Sequence, residues 1–595
     1  MKNSSNWLQK EKKQIAITLG IFVYYLLIFI PVLRSGYMYD DIANYTAKGW
    51  AIMHDTSMLD MTKYFAFHWI KDAGRSYLFA WYGYAFFSVV GLRLYKFLIV
   101  LTSFIDGNLF GCIVGKYTKN NRLRLALVAV FPILVTLNCS FFSSMFGFHL
   151  LLQVTFFWSL LGIYFFQRYL ETGKIWCQVV SCLALFTALQ TYEVSYILCL
   201  LYLIIAVTDN DFIRALKKLL PQIVVGIICV GAYIYVVTHA SGHYAGTSVA
   251  FGPQVIGGFL RQLSSSTSAV NSAICLPLLS ENASILFESY SGRYILTSVI
   301  TIIAIALLVG LNKKSILSGF EDKISNGYGA VAIGLWTLVS PAILIGLSQR
   351  YQVEVQWGKG YLPFFVQTWG AALLVALAIV WLDSVVSVKW HLTLVLSVFA
   401  IMSLIPNQMV ADYYVDAMDN YEYQQNNLFR GAASTGVFDD WNVGELILDG
   451  NGSLSQIEQH YAYLLNYKVE SYSINDLYNT ENETLNYTDA FSRVNDADSF
   501  RYVYYVDRTK ALIYANASGL DIQESDGNIS MGVYSSDIYV FVPKESDYSL
   551  VKNANGEVIL DLNQTNALYS SSKGNVYELK TDSLIDVRSI SVTQP

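Results

Sequence analysis

Runs of apolar residues separated by short polar breaks fill the first 409 positions, and shorter alternating segments follow them. The first run is Ile15 to Leu33. Further runs lie at about 97–115, 124–137, 149–166, 175–190, 193–208, 219–238, 293–311, 328–348, 362–382 and 391–409. Each reads as a membrane helix, because in lipid a helix satisfies its own backbone hydrogen bonds. The stretch 175–208 is read as two helices: one helix there would be about 51 Å long against a bilayer core of about 30 Å. The break is Gln190-Thr191-Tyr192-Glu193. Tyr77–Leu92 is apolar but short and aromatic, so it reads as a helix lying at the membrane interface, where Trp and Tyr gather. The expectation is eleven spans.

The basic residues set the parity. With eleven spans, Lys10/Lys12/Lys13, Lys116/Lys119/Arg122/Arg124, Arg168/Lys174, Arg214/Lys217/Lys218 and Lys313/Lys314/Lys323 all fall on the inner side. If 77–92 also crossed, every later basic loop would lie outside. The first run has no small-residue cleavage site after it and reads as an uncleaved signal anchor. The outer face then carries the stretch after Leu33, the break at Glu193, the loops 239–292 and 349–361, and everything beyond 410.

From 410 the chain is rich in Asn, Asp, Ser and Tyr, with alternating runs at Tyr502–Val506, Ile538–Val542 and Val558–Leu562. Glu445–Leu448 followed by Ser455–Leu465 reads as strand then helix. The expected fold is therefore an α-helical polytopic membrane domain, 1–409, and an extracytoplasmic α/β or α+β domain, 410–595. Asn-x-Ser/Thr triplets at Asn482 and Asn528 fit an exposed outer location.

Composition agrees: 54% of the 595 residues are hydrophobic and 14% charged, against roughly 25% charged in soluble domains. The net charge of −6 conceals an asymmetry. Residues 410–595 hold 28 acidic against 11 basic side chains, leaving the first 409 net basic. The basic part lies in short loops between apolar runs, which excludes a nucleic-acid surface. None of the seven Cys lies in the acidic tail and no CxxC spacing occurs, so neither a disulfide framework nor a zinc site is expected. A phosphate-binding Gly loop and a nucleophile elbow are absent as well.

Candidate chemistry gathers on the expected outer face. Asp40 and Asp41 follow the first span in Tyr37-Met38-Tyr39-Asp40-Asp41. There a carboxylate meets a lipid-borne substrate while staying in reach of water, and is suited to act as a base; the plainer reading is a cap on the next helix. Arg75, Arg350 and Lys359 are cations flanking apolar segments and suit a phosphate or pyrophosphate. Lys359 lies in Gln356-Trp357-Gly358-Lys359-Gly360-Tyr361, where Gly admits close backbone approach and the aromatic residues, Tyr361 included, offer a sugar platform. Glu193 is ionisable between two spans. His149 opens a span and is read as structural or as a substrate contact. His239 and His243 have helical spacing, but no acid completes a metal site.

A signal-anchor helix, the Asp40-Asp41 pair at the start of a long outer segment, an interfacial helix preceded by Gly74-Arg75, and many further spans together resemble the GT-C class of membrane glycosyltransferases. Within it the pattern is similar to the glucosyltransferase family of O-antigen modification (the GtrII type), over about residues 10–410. Position 193 departs from that family, which usually has Tyr-Gln there. The resemblance implies transfer of a sugar, often glucose, from a polyprenyl-phosphate carrier to a cell-surface glycan outside the bacterial plasma membrane. An outer carboxylate would take the acceptor proton in an inverting displacement, and cations would stabilise the charge developing on the phosphate. No cofactor is called for, although one aspartate has two further roles open to it: holding a divalent metal (Mg or Mn) or orienting the acceptor. The rival readings are a lipid-linked glycan flippase or transporter, for which Asp106 is the main mid-span acid, and a glycan polymerase.

Overall fold

The computed structural model describes residues 2–595 other than 80–81, 140–141, 209–211, 310–323, 418–420, 452–455, 482–483, 508–509 and 526–527. Lys313, Lys314, Lys323 and Asn482 lie outside the described residues, as does the side chain of Asn528. The chain divides into two compact units. One comprises Met1–Tyr39 and Thr62–Met418; the other comprises Asp40–Met61 and Asp419–Pro595. The expectation of a division at 410 differs from this in two ways: the last apolar helix continues to Ala417, and a segment from near the N-terminus joins the C-terminal unit.

The first unit is helical. It opens with α1 (Lys2–Ile28) and α2 (Ile30–Arg34), and two short helices of the other unit, α3 (Asp40–Asn44) and α4 (Ala47–Met53), come next in the chain. Then follow α5 (Met58–Lys71), α6 (Tyr82–Val89), α7 (Leu92–Thr118), α8 (Asn121–Leu134), α9 (Leu151–Thr172), α10 (Ile175–Leu189), α11 (Val194–Leu198), α12 (Leu200–Thr208) and α13 (Phe212–His239). After a long connection come α14 (Gln254–Ser264), α15 (Ser268–Ile274), α16 (Leu276–Leu308), α17 (Gly327–Leu347), α18 (Tyr351–Glu354), α19 (Phe364–Val385) and α20 (Lys389–Ala417). Among the described residues six helices are long and apolar enough to cross a membrane: α7, α13, α16, α17, α19 and α20. Of the other apolar runs, 149–166 forms the continuous α9, and the rest are helical in shorter or interrupted pieces. The break at Gln190–Glu193 separates α10 from α11. Helix α6, with eight residues, is only about 12 Å long, too short to cross.

Aromatic packing forms the centre of this unit. Phe131 of α8 stacks on Trp369 of α19 with 3.7 Å between ring centroids, and Phe365 meets Phe131 and Phe156 edge-on. Such pairs contribute about 0.5–1.5 kcal/mol beyond their burial. Gly107 of α7 is needed here, since a Cβ would lie 2.3 Å from the Trp369 ring. Charged residues on these helices are paired in groups. Arg34 of α2 and Arg293 of α16 share Asp412 of α20, with Arg34 also on Asp416. Elsewhere Arg122 and Lys389 share the buried Asp383.

The second unit is a mixed sheet with helices. After α21 (Tyr421–Ala433) come β1 (Leu446–Asp449), α22 (Ile457–Leu465), β2 (Glu470–Ser473), β3 (Tyr478–Glu481), β4 (Thr484–Tyr487) and α23 (Asp489–Asn495). The remainder is β5 (Phe500–Val506), β6 (Ala511–Ala517), β7 (Gly519–Ser525), β8 (Asn528–Pro543), β9 (Leu550–Lys552), β10 (Val558–Asp561), β11 (Tyr569–Ser570), β12 (Gly574–Asp586) and β13 (Ser591–Thr593). The main sheet runs β11-β12-β8-β6-β5-β1-β2, with β7 on β8. Strand β1 is parallel to both β2 and β5, and the remaining pairs are antiparallel. A crossover through α22 joins β1 to β2, as a parallel pair requires. Phe429, Phe438, Trp441, Tyr461 and Tyr514 fill one core cluster, with Ile52 and Met53 of α4 packed against it. Leu448, Tyr502, Ile513, Val533 and Val540 belong to a second.

Candidate functional site

Helix α3 begins at Asp40, so both carboxylates stand in its first turn, where free N–H groups and the helix dipole favour anions. Asp41 is fully buried and Asp40 exposed. Tyr39, immediately before them, holds a left-handed φ of 56°, which is uncommon for a non-glycine residue and marks a constrained entry. The far end of α3 is held from α22: Gln459 Nε2 donates to the Ala43 carbonyl (2.8 Å) and to Thr46 Oγ1 (2.9 Å). Helix α4 lies against α22 so closely that a Cβ on Gly49 would be 1.8 Å from the Gln459 carbonyl oxygen. The acid pair therefore belongs to the C-terminal unit.

In the first unit Arg75 and Glu193, 118 positions apart, form one largely buried pair. Arg75 Nη2 donates to both Glu193 oxygens at 3.0 and 3.2 Å and to the Tyr77 hydroxyl. The guanidinium lies 4.1 Å from the Tyr77 ring centroid and 4.2 Å from that of Tyr244, with Trp69 at 5.4 Å. Burial pulls its pKa down; the Glu193 carboxylate, then the Tyr192 and Tyr244 oxygens, push it up, and the net shift is upward. Arg75 Nε is buried and has no hydrogen-bond partner among the described residues. The backbone sets this corner. Gly74 has a left-handed φ of 68° with its Cβ position against Ala240. The Tyr244 and Ser241 amides donate to Ala73 and Lys71, and the Phe79 amide and Ser76 hydroxyl reach Gln190 in the break.

Tyr244 joins this corner to the connection after α17. Its hydroxyl is 3.0 Å from the Tyr351 hydroxyl, which donates to Tyr361 at 2.8 Å, and Arg350 Nη1 approaches Tyr244 at 3.5 Å. The Tyr351 and Tyr361 rings stack at 4.1 Å. Burial is the first cause raising both phenol pKa values, and neighbouring phenols add to it. Gln262 of α14 clamps the backbone of Tyr361 by accepting from its N–H and donating to its carbonyl. Arg350 pairs with Glu354 at 2.8 Å, and both side chains are 38% exposed.

Lys359 is half-buried between Gly358 and Gly360, whose φ values are 69° and 67°. Neither Gly tolerates a Cβ, which would press on Asn271 and Ser265 respectively. Trp357 beside them is 51% exposed. His149 lies in a different setting. Phe148, His149 and Leu150 are all left-handed, with φ of 65°, 36° and 66°, at a cost of about 1–2 kcal/mol each. The His149 ring meets Tyr82 and Phe87 edge-on and abuts Gly83. An aromatic path, Tyr361–Phe142–Phe148, connects its loop with the phenol chain. His239 and His243 do not converge: His239 bonds to Tyr235 of its own helix and His243 to Ser248.

Sequence reading thus names Arg75, Glu193, Arg350 and Tyr361, which the fold gathers. It misses Tyr77, Tyr244, Tyr351 and Gln459, whose importance lies in contacts across more than a hundred positions or in a ring's orientation. No protein-family model matches the chain, and no curated protein matches it.

Proposed function

We propose that the protein is a membrane glycosyltransferase that moves a sugar, glucose by the resemblance above, from a polyprenyl phosphate to a cell-surface glycan. In this reading the chain crosses the bacterial plasma membrane eleven times, with its N-terminus inside and the C-terminal unit outside. The observation that carries the reading is two arginines close to one ring: the Arg75 and Arg350 guanidiniums lie 4.2 and 5.8 Å from the Tyr244 ring centroid. Arg75 uses Nη2 for Glu193 and Tyr77 and retains Nε, while Arg350 is held by an exposed Glu354 that a phosphate can replace. Developing charge on a departing phosphate is stabilised by preorganised donors of this kind, and the phenol chain from Tyr244 to Tyr361 supplies neutral donors beside them. Asp40 or Asp41 takes the proton of the acceptor hydroxyl, a step that contributes about 10²–10⁴-fold. The C-terminal unit recognises the acceptor glycan.

The test is transfer of labelled glucose from polyprenyl phosphate to envelope glycan by the purified full-length protein. Asp40→Asn or Asp41→Asn is expected to abolish transfer while folded protein remains in the membrane. A simple helix cap would leave both active, because Asn caps about as well as Asp. Full activity in both variants removes the pair from the chemistry.

A second reading, transport of a lipid-linked glycan, has one observation in its favour. Asp106 is fully buried in the middle of α7 and neither carboxylate oxygen has a hydrogen-bond partner among the described residues; such intramembrane acids commonly mark transport paths. If Asp106→Asn stops lipid-linked glycan movement in vesicles while glycosyl transfer is undetectable in the parent, the transport reading takes precedence.

A further inference from the structure

The acid pair sits on a five-residue helix, and one turn of helix is far below the length that is stable by itself in water. Its orientation has to come from what it packs on. The contacts that fix its C-terminal end converge on one side chain of the C-terminal unit. Gln459, 5% exposed, directs its amide nitrogen at both the Ala43 carbonyl and Thr46 Oγ1. Thr46 Oγ1 in turn donates to that same carbonyl at 2.9 Å, so the three groups close a ring. The Tyr45 amide donates to the Asp41 carbonyl at 3.0 Å, linking the held turn directly to the acid. On the following helix, Gly49 seats α4 on the Gln459 backbone, the Tyr45 ring meets Tyr463 edge-on at 5.7 Å, and Lys48 donates to Asn466 at 3.0 Å.

We propose that Gln459 is the positioning residue for the Asp40–Asp41 helix, so that the C-terminal unit serves proton transfer as well as acceptor recognition. This rests on the reading of the pair as the base. The chemistry calls for an amide: it alone among side chains of this size presents two N–H donors to two oxygens without a charge. An ionised Glu would place a carboxylate against the Ala43 carbonyl, and Met would fill the volume with no donor.

The experiment uses the full-length protein with polyprenyl-phosphate glucose and native acceptor, comparing Gln459→Met, Gln459→Glu, Thr46→Val and Thr46→Ser with Asp40→Asn and Asp41→Asn. Misplacing a reacting group by a fraction of an ångström to an ångström costs about 10- to 100-fold in rate. Gln459→Met, Gln459→Glu and Thr46→Val are therefore expected to lower kcat by about 10- to 100-fold per folded molecule with the donor KM unchanged. Thr46→Ser, which keeps the acceptor oxygen, restores the parental rate. Amide hydrogen exchange of residues 40–46 accelerates in the three impaired variants. If the Asp variants are inactive and Gln459→Met turns over at the parental kcat, the inference falls alone and the reading of the base stands. Activity lost only in proportion to folded protein also overturns it, since that is a structural role. If both Asp variants are active, the base assignment falls and this inference with it.

Discussion

Arg75 and His460 show two ways of burying a titratable side chain. In the helical unit Arg75 is 11% exposed and keeps its charge, because Glu193 meets it in a forked pair and two rings face the guanidinium. In the C-terminal unit His460 is fully buried on α22, and the charge that acts on it is that of Arg430. Burial, with the Arg430 charge adding to it, lowers its pKa to about 3, so the ring stays neutral at ordinary pH. What decides between the two outcomes is the supply of a counter-charge in bonding geometry, since an unpaired charge in a low-dielectric site is far costlier than a neutral group.

The largest effect comes from removing that supply. Glu193→Gln leaves Arg75 buried and uncompensated, with an expected loss of about 3–5 kcal/mol, read as a lower midpoint in unfolding of the protein in nanodiscs. The double replacement Arg75→Met/Glu193→Met is expected to cost less than the single one; a larger cost would break the comparison.

For His460 the corresponding lever is pH. Its folded pKa, about 3, lies below the unfolded value of about 6.5, so the unfolded chain takes up the proton first. The stability it permits is complete above about pH 6.5 and falls by about 1.4 kcal/mol per pH unit as pH drops toward 3. Urea unfolding of the C-terminal unit, followed by pulse proteolysis of the full chain, reads this slope, and His460→Gln should flatten it.

Two smaller effects sharpen the contrast within the cation cluster. Arg350→Gln is expected to raise the donor KM about tenfold with kcat little changed, the equivalent of roughly one charge-assisted hydrogen bond. Tyr244→Phe keeps the ring beside Arg75 but cuts the phenol chain, for about 1 kcal/mol of stability. Smallest of all, Glu354→Ala should change stability by less than about 0.5 kcal/mol, as exposed pairs do; a loss comparable to that of Glu193→Gln would mean that Arg350 is as deeply committed as Arg75.

Local pattern alone determined much of this protein. Apolar runs become helices because a helix satisfies its backbone within the run. The polar break at Gln190–Glu193 ends α10 for the same local reason, and the apolar run Tyr502–Val506 lies in β5, where burial on both faces replaces the expected alternation. The candidate residues were legible as chemical types: Asp40 and Asp41 beside a span, Arg75 after a glycine that does adopt a left-handed φ. Only the tertiary structure decided their company. That Arg75 meets Glu193, that Tyr244 faces both it and Arg350, and that Asp40–Met61 folds with a unit beginning near residue 419 depend on surfaces brought together across 118, 106 and 416 positions. Periodicity records which face of an element is buried, not which distant element buries it. Gly49 fits against the Gln459 carbonyl because two helices far apart in the chain approach more closely than any side chain would allow.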